Sequence, residues 1–189
     1  YAVGKGPSAL TVSAPDVGVE LGKSLVIRGS VTDISAGTMQ NEQAARFPYG
    51  VPAVSDASMG AWMEYVYMQK PRPMNALGVD VVLSVLDSNN NYREIGKTAS
   101  NSDGFFTLNW KPDIEGQYTV YASFAGSESY WPSHAVTSFM VDSAAPTPSP
   151  TAVPIASVVD LYFVPAVAAI IIVIVIGFVV LFLALRKRP

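Results

Sequence analysis

The chain has 189 residues, no cysteine, one histidine and a net charge of −3; half of it is apolar and only 14% is charged, for a mean hydropathy of +0.30. These values exclude a disordered chain, a disulfide framework, a thiol nucleophile, a zinc–thiolate or iron–sulfur site and any multi-histidine metal site. The acidic balance argues against a nucleic-acid partner, which needs a basic patch.

The chain opens on Tyr1, with no basic, apolar and cleavage regions of a signal peptide. An ectodomain needs one, so the expectation is that this is the tail of a longer protein. Residues 7–142 read as β. Strands are expected at Ala9–Ala14, Ser24–Thr32, Gly78–Asp87, Tyr92–Ala99, Phe105–Trp110, Gln117–Phe124 and Ala135–Val141. Alternation is the reason: Tyr118, Val120, Ala122 and Phe124 fall on one face, as do Val79, Val81, Leu83 and Val85. Turn chemistry separates the runs. Ser88–Asn91, Ser102–Gly104 and Pro112–Gly116 are each expected to close a hairpin. Seven short strands so spaced argue for an immunoglobulin-like antiparallel sandwich.

The stretch 33–77 does not fit that pattern and is expected to be an insertion between the second and third strands. Part of it predicts a helix over Met59–Gln69, capped by Ser55 or Asp56 and stopped by Pro71 and Pro73. Met59, Trp62, Met63, Val66 and Gln69 lie near one face of it. Such a short helix takes its stability from packing, so the insertion is expected to cover an end or an edge of the sandwich.

Residues 143–159 hold four prolines among small residues. They cannot build a core and favour extended polyproline II, a stalk of roughly 50 Å at about 3.1 Å per residue. Ser and Thr there admit either a plain linker or an O-glycosylated one. Residues 160–185 are expected to form one transmembrane helix. The run Leu161–Leu185 has 25 residues and no charge, and as a helix covers roughly 37 Å, enough to cross a hydrocarbon core of about 30 Å with some tilt. Residues 1–160 carry 9 basic and 15 acidic side chains, net −6, whereas the end of the chain carries Arg186, Lys187 and Arg188. By the positive-inside rule the tail 186–189 is expected to be cytoplasmic and residues 1–160 extracellular.

The segment from Ser102 to Ser133 contains Trp110-Lys-Pro112, Gly116-Gln-Tyr-Thr-Val-Tyr-Ala122 and Gly126-Ser-Glu-Ser-Tyr130. It resembles the second half of immunoglobulin-like modules on prokaryotic surface proteins. Trp110, Tyr118, Val120 and Phe124 are then core residues, and Tyr118 is similar to a tyrosine corner. With Tyr1–Ser8, the insertion Ala61–Pro73 and the terminal anchor, the whole chain resembles the C-terminal region of archaeal PQQ-binding-like β-propeller repeat surface proteins. That resemblance implies a propeller upstream, with residues 1–6 the tail of that preceding domain. Any quinone activity would belong to the propeller and is not carried to this chain.

Catalysis finds no support: the sequence has no nucleophile elbow, Walker loop or His-Glu-x-x-His. No cofactor and no metal are expected. His134 follows a turn and faces solvent or caps a strand. Glu64, beside Trp62, Tyr65 and Tyr67, is weighed as a sugar site and as an ordinary helix surface; the single carboxylate favours the surface. Asp87, Asn89, Asn90 and Asn91 could place oxygens around calcium, but their spacing is that of a turn. The expected function is therefore that of a non-catalytic, single-pass cell-surface spacer, with the lipid bilayer as partner. Two alternatives stand beside it: an adhesion module binding glycan or protein through Trp62, Tyr65, Tyr67 and Trp131, and the anchor of an extracellular oxidoreductase.

Overall fold

The computed structural model describes residues 4–144 and 158–186. They belong to two compact units, Tyr1–Ala145 and Pro146–Pro189, taken in turn. Residues 1–3, residues 145–157 of the expected stalk and the charges of Lys187 and Arg188 lie outside the described residues; Val158 and Val159, expected in the stalk, are helical.

The first unit is a β-sandwich. Its strands are β1 (Ser8–Ser13), β2 (Val19–Glu20), β3 (Leu25–Asp33), β4 (Val51–Pro52), β5 (Asp80–Leu86), β6 (Tyr92–Ala99), β7 (Phe105–Trp110), β8 (Gly116–Phe124) and β9 (Ser133–Asp142). One sheet places β3 between β1 and β7, with β4 also on β3; the other runs β2-β9-β8-β5-β6. All pairs are antiparallel except β2 with β9. The period-2 rows explain the core. Tyr118, Val120, Ala122 and Phe124 of β8 face inward with Val81, Leu83 and Val85 of β5, against Leu25, Ile27 and Val31 of β3 and Phe106 of β7. Each Val, Leu, Ile or Phe among them contributes roughly 1.5–3 kcal/mol on burial. Gly29 stands in the same inward row of β3. A Cβ there would lie 2.0 Å from the Thr11 carbonyl oxygen and 2.5 Å from the Phe106 ring, so the ring takes the room a side chain would need.

Seven strands match the expected ones to within two residues, and β2 and β4 are additional. The turns correct the expectation in two places. Ser88–Asn91 closes the β5–β6 hairpin. Ser102–Gly104 and Pro112–Gly116 do not close hairpins, because β7 pairs with β3 in the first sheet while β6 and β8 lie in the second. Both turns carry the chain from one sheet to the other. Turn residues report a reversal of direction, not the partner the strand finds afterwards.

The insertion joins β3 to β5. It contains a 3-10 turn (Ala36–Met39), α1 (Asn41–Arg46), β4 and α2 (Asp56–Met68). The helix starts three residues before the expected position and carries Gly60 inside it. Gln69, in the left-handed region at φ 54°, ends it before Pro71. Trp62 and Val66 are buried in a second small core with Val51, Val54 and Ala76, flanked by Phe47, Met63 and Tyr65; Met59 packs against both cores. The insertion thus covers one end of the sandwich rather than an edge. The free edge at β6 is protected otherwise: it carries Arg93, Glu94 and Lys97 and a bulge opposite Leu83 and Ser84.

This geometry separates the two ends of the unit. Ser8 pairs with Asp33 at the covered end, and β9 starts there and runs to Asp142 beside β2 at the other. Ten extended residues of β9 span about 30 Å.

The second unit contains α3 (Val158–Arg186). Its stretch Leu161–Arg186 is long and apolar enough to cross a membrane. The β-branched run from Ile170 to Ile176 would favour a strand in water, yet it is helical here, the form that satisfies every backbone group within one segment. Pro165 lies inside the helix and removes one N–H from its ladder.

Candidate interaction surface

At the covered end one carboxylate ties the insertion helix to the β8–β9 loop. Asp56 stands in the first turn of α2, where the helix dipole favours a negative charge. It accepts hydrogen bonds from the Ser127 hydroxyl at 2.9 Å and from the backbone N–H groups of Glu128 at 3.0 Å and Ser129 at 2.9 Å. Bonds from Ser129, Glu128 and Ser127 hold its carboxyl down to about 2. Ser55 makes no side-chain cap to the helix backbone; its hydroxyl bonds to that of Ser58, which accepts the Leu77 N–H at 3.0 Å.

The loop 126–131 that Asp56 grips also receives the incoming chain. The Gly6 N–H bonds the Ser129 carbonyl at 2.8 Å, and the Trp131 N–H bonds the Gly6 carbonyl at 2.9 Å. Beneath them Tyr130 is buried, and its hydroxyl donates to Asp33 at 3.3 Å; burial first, and then Asp33, raises its pKa. The incoming strand, the β8–β9 loop and the insertion helix are therefore bonded in series.

The four aromatic residues expected at a partner surface separate. Trp62 is fully buried and contributes no surface; its ring lies 5.4 Å from Tyr65 and 6.2 Å from Phe47. Tyr65 is half-buried beneath the Arg46 guanidinium, 4.9 Å above it. Tyr67 is exposed, with its hydroxyl over Gly37; burial and the charge of Asp33 raise its pKa. Trp131 is 57% exposed, with Lys5 5.8 Å above its ring. Of the expected core residues, Tyr118, Val120 and Phe124 are buried, while Trp110 is only half-buried on the rings of Tyr118 and Phe139.

Tyr118 makes the corner bonds: its hydroxyl donates to Asp113 at 2.9 Å and accepts the Ile114 N–H at 3.2 Å. Asp113 also bonds Arg93, which lowers the acid's pKa and raises the guanidinium's, while burial raises that of Tyr118. Asp87 is committed as well. Its Oδ1 accepts the N–H groups of Asn89 and Asn91, each at 2.9 Å, with Arg93 3.6 Å from Oδ2; the Asn91 bond leads in lowering its pKa. Asn90 sits at φ 64°. These four residues build a turn. Among the described residues no group of three His, Cys, Asp or Glu could hold a metal. Glu64 pairs with Lys70 at 3.2 Å, and His134 is exposed on β9.

Among the described residues, two recesses border the insertion. The larger lies between the start of α2 and the β5–β6 edge, lined by Asp56, Leu77, Lys97, Ser100 and Phe124 among others. Asp56 is occupied there, and the Ser100 hydroxyl accepts the Val79 N–H at 2.9 Å, so this is a seam between insertion and sandwich. The smaller, about 330 Å³, is lined by Arg46, Tyr49, Tyr65, Arg72, Asp103 and Phe105. Its exposed rings, Tyr49 and Phe105, lie 5.8 Å apart at 70°. Sequence reasoning missed this pair. The turn signal Phe47-Pro-Tyr-Gly50 marks a loop but not the strand that would face it.

No protein-family model and no curated protein matches the sequence. Among solved structures, a tetra-tandem repeat from the extending region of a large adhesion protein is similar over 71% of this chain, at 16% identity and a TM-score of 0.42; this chain spans about a quarter of that one, 24%. A superoxide reductase (neelaredoxin) from Ignicoccus hospitalis is similar over 71% of this chain and 80% of its own, at 12% identity and 0.39. The CARDB domain of the PF1109 protein from Pyrococcus furiosus, solved with di-metal ions, is similar over 73% and 90%, at 14% identity and 0.37.

Proposed function

We propose that this chain is a single-pass cell-surface protein whose immunoglobulin-like unit is a non-catalytic spacer and interaction module anchored by α3. The observation that carries the reading is α3, a helix with 25 successive uncharged residues and Arg186 immediately after them. Residues 1–160 would stand outside and Arg186, Lys187 and Arg188 inside. A spacer role is supported by the chain entering the sandwich at one end and leaving at the other. The committed hydrogen bonds of Asp56, Asp87 and Asp113 support a non-catalytic role. The region held outward would, by the sequence resemblance alone, be a β-propeller.

The absence of cysteine makes the test direct. Asn89→Cys and Pro189→Cys are introduced singly and treated with a membrane-impermeant maleimide on intact cells. Labelling of Asn89→Cys alone, with Pro189→Cys reacting only after lysis, supports the reading. The reverse pattern, or recovery of the chain in the soluble fraction, refutes it.

A further inference from the structure

We propose that the recess between the Phe47–Gly50 turn and the start of β7 binds an uncharged pyranose ring of a carbohydrate. The inference stands on the recess alone and is independent of the membrane topology.

Tyr49 is 76% exposed, yet its ring is fixed edge-to-face against Phe105, itself 41% exposed. A large exposed ring held by a neighbour is a presented surface, because little side-chain freedom is lost when something stacks on it. The turn that presents it is rigid: Pro48 precedes Tyr49, and Gly50 at φ 88° follows with its N–H on the Phe47 carbonyl at 2.9 Å. The polar rim is equally fixed. Arg72 bonds Asp103 at 2.6 Å and the Ser102 carbonyl at 3.0 Å, with its guanidinium 5.8 Å over the Trp62 ring. Arg46 is spent on the carbonyls of Val66 and Tyr65 at 2.9 and 3.1 Å.

This combination selects the ligand chemistry. A pyranose has an apolar C–H face edged by hydroxyls. Its face can lie on the Tyr49 ring while neighbouring hydroxyls donate to Asp103 and accept from Arg72. An apolar side chain or lipid tail in the same place would bury that ion pair without new partners, which is costly. Arg72 and Asp103 form a matched donor and acceptor, and the terminal nitrogens of Arg46 are spent on carbonyls, so the hydroxyls of an uncharged sugar find partners there without a charge of their own. The volume, about 330 Å³, lies at the small end of ligand pockets.

The test uses the full chain in lipid nanodiscs, free of sugar-based detergent. Cellohexaose, maltohexaose, mannohexaose and chitohexaose are each offered at about 10 mM, a concentration suited to the weak affinity of a shallow site. Saturation-transfer NMR from the aromatic protons reads binding. The expected result is transfer to one or more of these sugars, at least about tenfold weaker binding in Tyr49→Ala, and near-normal binding in Tyr49→Phe. Asp103→Asn, at an exposed position, should weaken binding with an unchanged thermal midpoint, and it carries the test if Tyr49→Ala is unstable. Transfer to none of the four sugars, or transfer undiminished in both Tyr49→Ala and Asp103→Asn, would overturn the proposal.

Discussion

Trp62 offers the sharpest check on the packing. Its side chain is fully buried in the insertion core, and its Nε1–H has no hydrogen-bond partner among the described residues. Two substitutions should therefore part company. Trp62→Ala removes the whole ring system and should cost about 3–5 kcal/mol. Trp62→Phe removes two carbons, worth about 0.8 kcal/mol each, but also removes a buried unpaired donor whose desolvation costs about 1–3 kcal/mol. These terms nearly cancel, so Trp62→Phe should be close to neutral. Hydrogen exchange by mass spectrometry locates the loss. In Trp62→Ala, protection across α2 should fall by roughly two to four powers of ten. Peptides from β8 should change far less, because the insertion core touches the main core chiefly through Met59. If Trp62→Phe cost as much as Trp62→Ala, the orphan donor would be imaginary. If β8 lost protection equally, the insertion would be part of one cooperative core.

Two further outcomes follow from the hydrogen bonds. Asp56 has a folded-state pKa of about 2 against an ordinary 3.8, so its stabilisation is complete above pH 3.8 and disappears as the pH falls through about 2. The thermal midpoint of wild type should exceed that of Asp56→Asn by an amount equivalent to about 1 kcal/mol near neutral pH, the acid being exposed and screened, and the gap should close in acid; a gap independent of pH would count against the assignment. Tyr118→Phe loses the bonds to Asp113 and Ile114, which should cost about 1–2 kcal/mol, or roughly 3–8 °C in Tm. An unchanged Tm would mean that the corner contributes nothing.

What the sequence revealed follows from what periodicity measures. Period-2 rows are written into β5 and β8, so Leu83 and Val120 could be placed inward without a partner in sight. The two-residue strands β2 and β4 have no row to read; each exists because a longer strand, β9 or β3, offers it a ladder. The six residues of α1 are too short for a pattern and are held by Arg46 bonding the carbonyls of α2. Periodicity placed Trp62 and Val66 on one helix face but could not say what would cover it. Tyr65 and Tyr67, two residues apart, go to different neighbours for the same reason. The Tyr49–Phe105 pair lies further still from sequence reasoning, because it joins a turn of the insertion to a strand of the sandwich.

The separation of entry and exit has a mechanical consequence. Tension applied between Ser8 and Asp142 would run along β1 and β9 rather than across them. The β1–β3 ladder extends from Ser8 to Ser13 and the β8–β9 ladder from Ser133 to Asp142, so each would be loaded in shear. Its rungs would then have to fail together instead of peeling one by one from an end. At the loaded end the Gly6 bonds to Ser129 and Trp131 would be strained first, and through Ser127 and Glu128 the pull would reach Asp56. Acid that protonates this carboxylate should therefore lower the force at which the covered end yields while leaving the β8–β9 ladder intact.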